Sequence, residues 1–252
     1  IFSERHELVY FDNAATTQKP EKVIEAVEKY YRKNNSNEGR SLYRLANRAT
    51  ELYSESRKTV ADFFNASRDE IVFTRNTTES MNLLASSYDF EGDVVLPEMA
   101  HHSNQLPWRR EAERKGYETK FIPTEGNRLD LEAAKELIDD ETAVVSVSHI
   151  SNVFGCVNPV KELAEIAHDH DAVIAVDGAQ SAPHMPVDVK QLDADFYAFS
   201  GHKMMAPTGT GGLYGRKELL EQMDPYQVGG GMIKSVKKDS VRYGDAPEKF
   251  EA

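Results

Sequence analysis

Val173-Ile174-Ala175-Val176-Asp177-Gly178-Ala179-Gln180 is apolar at four successive positions, carries one carboxylate where the run stops, and then turns on a glycine. A strand without polar alternation is buried on both faces, as in a parallel sheet covered by helices. Six more runs have this character: Ile71 to Thr74, Val94 to Pro97, Lys120 to Ile122, Ala143 to Ser148, Phe196 to Phe199 and Gly212 to Tyr214. Segments with helical periodicity lie between them. Pro20 is placed for the first turn of a helix whose Val23, Ile24, Val27, Tyr30 and Tyr31 recur at i, i+3 and i+4. Ala49 to Phe64, Thr78 to Tyr88, Gln105 to Lys115, Leu131 to Ile138, Pro159 to His168 and Lys217 to Met223 read similarly. The alternation predicts an α/β fold, a seven-stranded and mostly parallel sheet flanked by helices.

A chain of 252 residues can bury a sizeable core, and one domain is the default. Acidic residues number 42 against 30 Lys plus Arg, a net charge of −12. That balance argues against a nucleic-acid-binding surface and leaves a solvated acidic exterior, which a salt-adapted host would also favour. Cys156 is the single cysteine, so an internal disulfide and a multi-cysteine metal cluster are both excluded, and no metal site is expected. No apolar run is long enough to cross a membrane, and Ile1-Phe2-Ser3-Glu4-Arg5-His6 has no signal-peptide core. A reducing, cytoplasmic setting is the expectation. The start without Met and the ending Phe250-Glu251-Ala252 suggest a fragment. Residues 1–20 read as an N-terminal segment and 21–227 as the large domain. Residues 228–252, rich in Gly and charge, read as a crossing segment or mobile loop toward a further small domain.

In open parallel sheets, ligands bind beyond the carboxyl ends of the strands, and the chemistry-bearing residues here fall there repeatedly. Thr77 and Thr78 open a helix, where free N–H groups and the dipole favour a phosphate, although a Thr N-cap alone explains them. His101 and His102 follow the second strand; a ring there can stack on a flat ligand and carry protons, while a metal pair lacks a third ligand. Asn152 and Gln180 are neutral amides able to hydrogen-bond a phenolic oxygen, with turn and helix-start polarity as the plain alternatives. Asp177 caps a buried strand and needs a partner, because an unpaired buried charge is costly. Lys203 follows the aromatic run Phe196-Tyr197-Ala198-Phe199, where nearby apolar surface eases deprotonation of its amine. Ser200 and His202 could add phosphate donors. Gly209-Thr210-Gly211-Gly212 lacks the ending of a nucleotide loop and precedes a strand, so these glycines are expected to let backbone pass close to a cofactor. An amine for a Schiff base and a carboxylate for a pyridinium nitrogen, one strand apart, are what pyridoxal 5'-phosphate (PLP) requires.

The chain resembles the class V aminotransferase-like PLP enzymes, and most closely the SufS-type cysteine desulfurases. The resemblance rests on Tyr10-Phe11-Asp12-Asn13-Ala14-Ala15-Thr16, Arg75-Asn76-Thr77-Thr78-Glu79, His101-His102-Ser103-Asn104, His149-Ile150-Ser151-Asn152-Val153-Phe154-Gly155, Asp177-Gly178-Ala179-Gln180-Ser181 and Ser200-Gly201-His202-Lys203, in family order. It implies the large domain of the aspartate aminotransferase fold (fold type I). It also implies that Lys203 carries the cofactor, Asp177 pairs with the pyridine nitrogen and His101 stacks on the ring. Asn152 and Gln180 would lie near the phenolic oxygen, and Thr78, Ser200 and His202 would hold the phosphate. The implied reaction converts L-cysteine to L-alanine, with a separate cysteine taking the sulfur as a persulfide for a sulfur-acceptor protein of iron–sulfur cluster assembly. A homodimer is implied, since a neighbouring subunit completes such sites.

Two departures qualify the resemblance. Where the family carries an Asn-Val-His-Arg-Gly-x-His pattern, this chain reads Asn37-Glu38-Gly39-Arg40-Ser41-Leu42-Tyr43. The family's sulfur-accepting cysteine and carboxylate-binding arginine belong to a small C-terminal domain, expected beyond residue 252, and Cys156 reads better as a small packing residue than as the nucleophile. Selenocysteine lyase, an epimerase on the same fold and a non-catalytic PLP-fold scaffold are the alternatives; the combination of Asp177, His101 and Lys203 speaks against the scaffold.

Overall fold

The structure, a computed structural model, describes residues 9–39 and 42–252. The expectations for Ile1 to His6, and for Arg40 and Ser41 of the early loop, lie outside the described residues. All seven expected strands form, and they join one sheet. Numbered in chain order within it, they are β1 Ile71–Thr74, β2 Asp93–Pro97, β3 Thr119–Ile122, β4 Thr142–Ser148, β5 Val173–Asp177, β6 Phe196–Ser200 and β7 Gly211–Gly215. Their spatial order is β1-β7-β6-β5-β4-β2-β3. The pairs from β6 through β3 are parallel, whereas β7 is antiparallel to both β6 and β1.

Alternate side chains of each strand enter opposite layers. Ile174 and Val176 of β5 pack with Val145, Val147 and Tyr197 beneath Leu163, Ala164 and Ala167 of α6 (Val160–Asp169). Val173 and Ala175 face the other layer. There Met81 and Leu84 of α3 (Thr77–Ser87) and Trp108 and Ala112 of α4 (His102–Lys115) cover the sheet. Ile174, Val176, Val145 and Leu84 are wholly buried, each worth about 1.5–3 kcal/mol relative to exposure.

The remaining helices are α1 Glu21–Lys29, α2 Arg44–Phe63, α5 Leu131–Leu137, α7 Ser181–His184 and α8 Lys217–Gln222. Pro20 sits at the N-cap of α1, not inside its first turn, and its carbonyl accepts from Val23 N and Ile24 N. Tyr30 and Tyr31 leave α1 for a π-helical turn, Tyr30–Asn34. No residue of α1 is buried. Helix α2 begins at Arg44, well before the expected Ala49, because Ala46 and Ala49 already pack inward while the residues between them are polar.

Residues 228–252, expected as a crossing segment or mobile loop, carry regular structure. Ile233–Val236 pairs with Val241–Tyr243 as a hairpin, and a short 3₁₀ turn, Glu248–Phe250, places Phe250 in the core. Glu251 then reaches Arg57 of α2. Arg57 Nη1 and Nη2 donate to the two carboxylate oxygens at 2.8 and 2.6 Å, Phe73 N donates at 2.6 Å and Tyr53 Oη at 2.5 Å. A half-buried carboxylate with four donors anchors the end of this segment.

Candidate active site

Strand direction gathers the site. Because β7 alone is reversed, β1 runs parallel to β6, and the carboxyl ends of β1, β2, β4, β5 and β6 share one edge. Gly211, the first residue of β7, lies between Thr74 and Ser200 there. A Cβ on Gly211 would come within 2.8 Å of Asn76 Cα and 2.7 Å of the Phe199 carbonyl. At Gly211 this close approach is between β7 and its own neighbours. It brings the start of α3 against the end of β6, where Thr77 N donates to Ser200 Oγ at 2.9 Å and the two hydroxyls lie 2.9 Å apart. The N-cap of α3 is Asn76, not a threonine: its Oδ1 accepts from Glu79 N at 2.9 Å. Thr77 N is thus not a free donor, whereas Thr78 Oγ1 meets Ser103 Oγ at 2.7 Å.

One cavity of about 490 Å³ opens at this edge. Thr77, Thr78, His101, Asn152, Asp177, Gln180, Ser200, His202 and Lys203, every site residue expected from the sequence, line it. Cys156 is not among the lining residues. It is half-buried, with Sγ 3.9 Å from Met99 Sδ. Asp12, Asn76, Ser103 and Ser148 also line the cavity. None of these four stands out in the sequence on its own, although Ser148 pairs in register with Asp177 and the other three sit inside the motifs that carry the resemblance.

The lining residues are held by local structure. His101 is the N-cap of α4, its Nδ1 accepting from Ser103 N at 3.1 Å, so its ring is fixed at the rim by the helix start. Gln180 Nε2 donates to the Ala14 carbonyl at 2.8 Å. Its amide therefore ties down the N-terminal segment, a partner the sequence did not reveal. Asp177 ends β5 and is buried; Ala179 N donates to its Oδ1 at 3.0 Å. Burial pushes the Asp177 carboxyl up, against the Ala179 hydrogen bond and the attraction of His101 and Lys203. Burial likewise pushes the Lys203 amine down, against the attraction of Asp177. His202 is also lowered, first by burial and then by the cations Lys203 and Lys19. Behind the wall, burial holds His149 down at about 4, so it is neutral near pH 7.

Such a cavity offers an amine with an eased loss of its proton, a buried carboxylate short of a cation, and an imidazole at the rim. A model of the aminotransferase class-V family matches residues 9–252. The chain belongs to the class-V aminotransferase family. This class-V member is 50% identical over 253 residues to a cysteine desulfurase of Haloferax volcanii, spanning 97% of this chain and 59% of that protein. It is similar to the apo structure of cysteine desulfurase from Thermococcus onnurineus NA1, with a TM-score of 0.92 and 46% identity over 97% of this chain and 62% of that one. A mutant of C-DES with glycine covalently linked to its PLP cofactor matches at a TM-score of 0.86 and 26% identity, over 96% and 66% of the two chains. The class-V chain thus spans about three fifths of the length of the curated relatives it matches.

Proposed function

We propose that the complete protein is a PLP-dependent cysteine desulfurase, converting L-cysteine to L-alanine and passing the sulfur to an enzyme thiol as a persulfide. The observation that carries this reading is the meeting of Lys203, Asp177 and His101 in one cavity, in a chain 50% identical to a cysteine desulfurase. The cavity also suits the cofactor on structural grounds. Asp177 is buried without a salt-bridge partner among the described residues, and Ser148 Oγ is a buried hydroxyl with no hydrogen-bond partner on the same wall. A cation beside the carboxylate and a hydrogen-bond partner for the hydroxyl are what such groups lack.

When bound, PLP supplies an electron sink for negative charge at the substrate α-carbon. Asp177 would offer its carboxylate to the ring nitrogen and hold the proton there. Lys203 Nζ, already biased toward the neutral amine, would hold the aldehyde end of the cofactor and, once free of it, would accept the α-proton. His101, fixed by its N-cap bond, would stack on the ring, while Asn152 and Gln180 would serve its phenolic oxygen. Thr78, Ser200 and His202 would hold the phosphate, with Ser200 Oγ also bonded to Thr77.

Cys156 lies outside the cavity lining and the chain spans 59% of its Haloferax relative, which supports a sulfur-accepting thiol elsewhere in the complete protein. A homodimer, a sulfur-acceptor protein of iron–sulfur cluster assembly, and a reducing cytoplasmic compartment that keeps the thiol active complete the reading. The test supplies the complete gene product with PLP and L-cysteine and quantifies alanine together with protein-bound persulfide. Both products in equal amounts are expected; neither product from protein that has bound PLP would overturn the substrate assignment.

A further inference from the structure

The His202 carbonyl oxygen is a meeting point for four donors. Thr17 Oγ1 reaches it at 2.9 Å, Thr17 N at 3.0 Å, Lys19 Nζ at 3.1 Å and Thr16 Oγ1 at 3.2 Å. This oxygen belongs to the peptide unit joining His202 to Lys203. Because that unit is planar, fixing the oxygen fixes the plane from which the Lys203 Cα projects. Thr17 also grips the far side of Lys203, since its Oγ1 accepts from Met205 N at 2.8 Å. Met205 has φ +65°, a left-handed conformation that a non-glycine residue keeps only where its surroundings hold it. Thr17 itself is buried. The segment that carries it is tied at its other end to Gln180 through the Ala14 carbonyl, and Asp12, Ala14 and Ala15 line the cavity.

We propose that Thr17, supported by Lys19 and Thr16, is a positioning residue for Lys203. One hydroxyl brackets the lysine by donating to the carbonyl before it and accepting from the amide two residues after it. Segment 14–19 is thereby a clasp between the turns that follow β5 and β6. The inference rests on the reading of Lys203 as the residue that bonds the cofactor. Ordering the backbone in advance lets Lys203 Nζ meet the cofactor aldehyde without first losing conformational freedom.

The test uses the complete gene product and its Thr17→Val, Thr17→Ser and Lys19→Met variants. PLP affinity, the pH midpoint of the visible band of the bound cofactor, and the residue fixed to PLP by borohydride reduction are measured for each. Wild-type protein should be labelled on Lys203; labelling elsewhere would remove the cofactor assignment, and this inference with it, before any variant is compared. Thr17→Val keeps the side-chain shape and loses the hydroxyl. It should still be labelled on Lys203, bind PLP about three- to tenfold more weakly and shift the pH midpoint. Thr17→Ser should restore both values, and Lys19→Met should move them the same way by less. Wild-type affinity and an unmoved midpoint in Thr17→Val would overturn the inference. Were that variant not to fold, unchanged affinity and midpoint in Lys19→Met would do so.

Discussion

Gly178 follows Asp177 directly, and its lack of a side chain is a packing requirement that can be measured. A Cβ built there would lie 2.1 Å from Tyr197 Cζ and 2.3 Å from both Cε1 and Oη. Tyr197 cannot easily retreat. It is wholly buried in β6, packs against Phe64 at 5.4 Å between ring centroids, and shares a 2.6 Å hydrogen bond with Ser181 Oγ. Gly178→Ala must therefore push β5 and β6 apart or tilt the ring. Overpacking of this kind costs about 1–3 kcal/mol, and melting midpoints fall by roughly 2–4 °C per kcal/mol in chains of this size. The displacement falls beside Asp177, so PLP affinity should drop along with stability.

Tyr197→Leu supplies the control, because leucine has no atoms where the clash occurs. That change alone is destabilising, through the lost ring volume and Ser181 bond. In its background, however, Gly178→Ala should cost almost nothing. Thermal midpoints of the four proteins in this double-mutant cycle isolate the clash as a coupling between neighbouring residues. An equal cost for Gly178→Ala in both backgrounds would refute the steric account and leave only the altered backbone freedom of glycine.

Asp177→Asn should have opposite effects with and without PLP. Cofactor-free protein should melt higher, since a carboxyl that burial pushes up is replaced by a neutral amide. Turnover should fall about 10- to 150-fold, the worth of one charge-assisted hydrogen bond; calorimetry and alanine release measure the two. His149 contributes a pH dependence of defined sign. Its folded pKa of about 4 lies below the ordinary 6.5, so the unfolded chain binds the extra proton first as pH falls. Its contribution is complete above about pH 6.5 and is lost down to about pH 4. The slope of urea stability over that window should flatten in His149→Phe. Arg57→Gln leaves the half-buried Glu251 carboxylate without its main cation; urea titration should show a loss of about 3 kcal/mol, the lower end for a buried pair.

The seven strands were legible because each is a short, mostly apolar run with turn residues at its ends. Two small antiparallel pairs were not legible. Thr124–Glu125 with Arg128–Leu129, and Ile233–Val236 with Val241–Tyr243, are brief and partly polar, so no run marks them. The carboxyl-end rule indicated where Thr78, His101, Asn152, Asp177 and Lys203 would meet, since each follows a strand that shares the same edge. Local pattern could not reveal bonds across long sequence separation. Gln180 to Ala14, Thr17 to the His202 carbonyl and Glu251 to Arg57 close loops of 166, 185 and 194 residues. Nothing near any of these residues in the chain announces its partner. Thr77 shows the same limit in reverse: its place at a helix start suggested an open donor, and the fold gives that donor to Ser200.

The electrostatics of the cavity explain why a stable sheet keeps a costly group at its edge. Burial drives both Asp177 and Lys203 toward their neutral forms, and their mutual attraction only partly opposes it. An acid and an amine that merely stabilised one another would each be shifted toward the charged form, as Arg57 and Asp69 are by their partners. The Asp177–Lys203 pair is instead poised for a third group. A cation beside Asp177 would restore its carboxylate, and an aldehyde beside Lys203 needs the neutral amine that burial favours. The cost of burying Asp177 and the eased loss of the Lys203 proton are therefore two consequences of one arrangement. Gly178 belongs to it as well, since the absent Cβ is what lets Tyr197 close the wall behind the carboxylate.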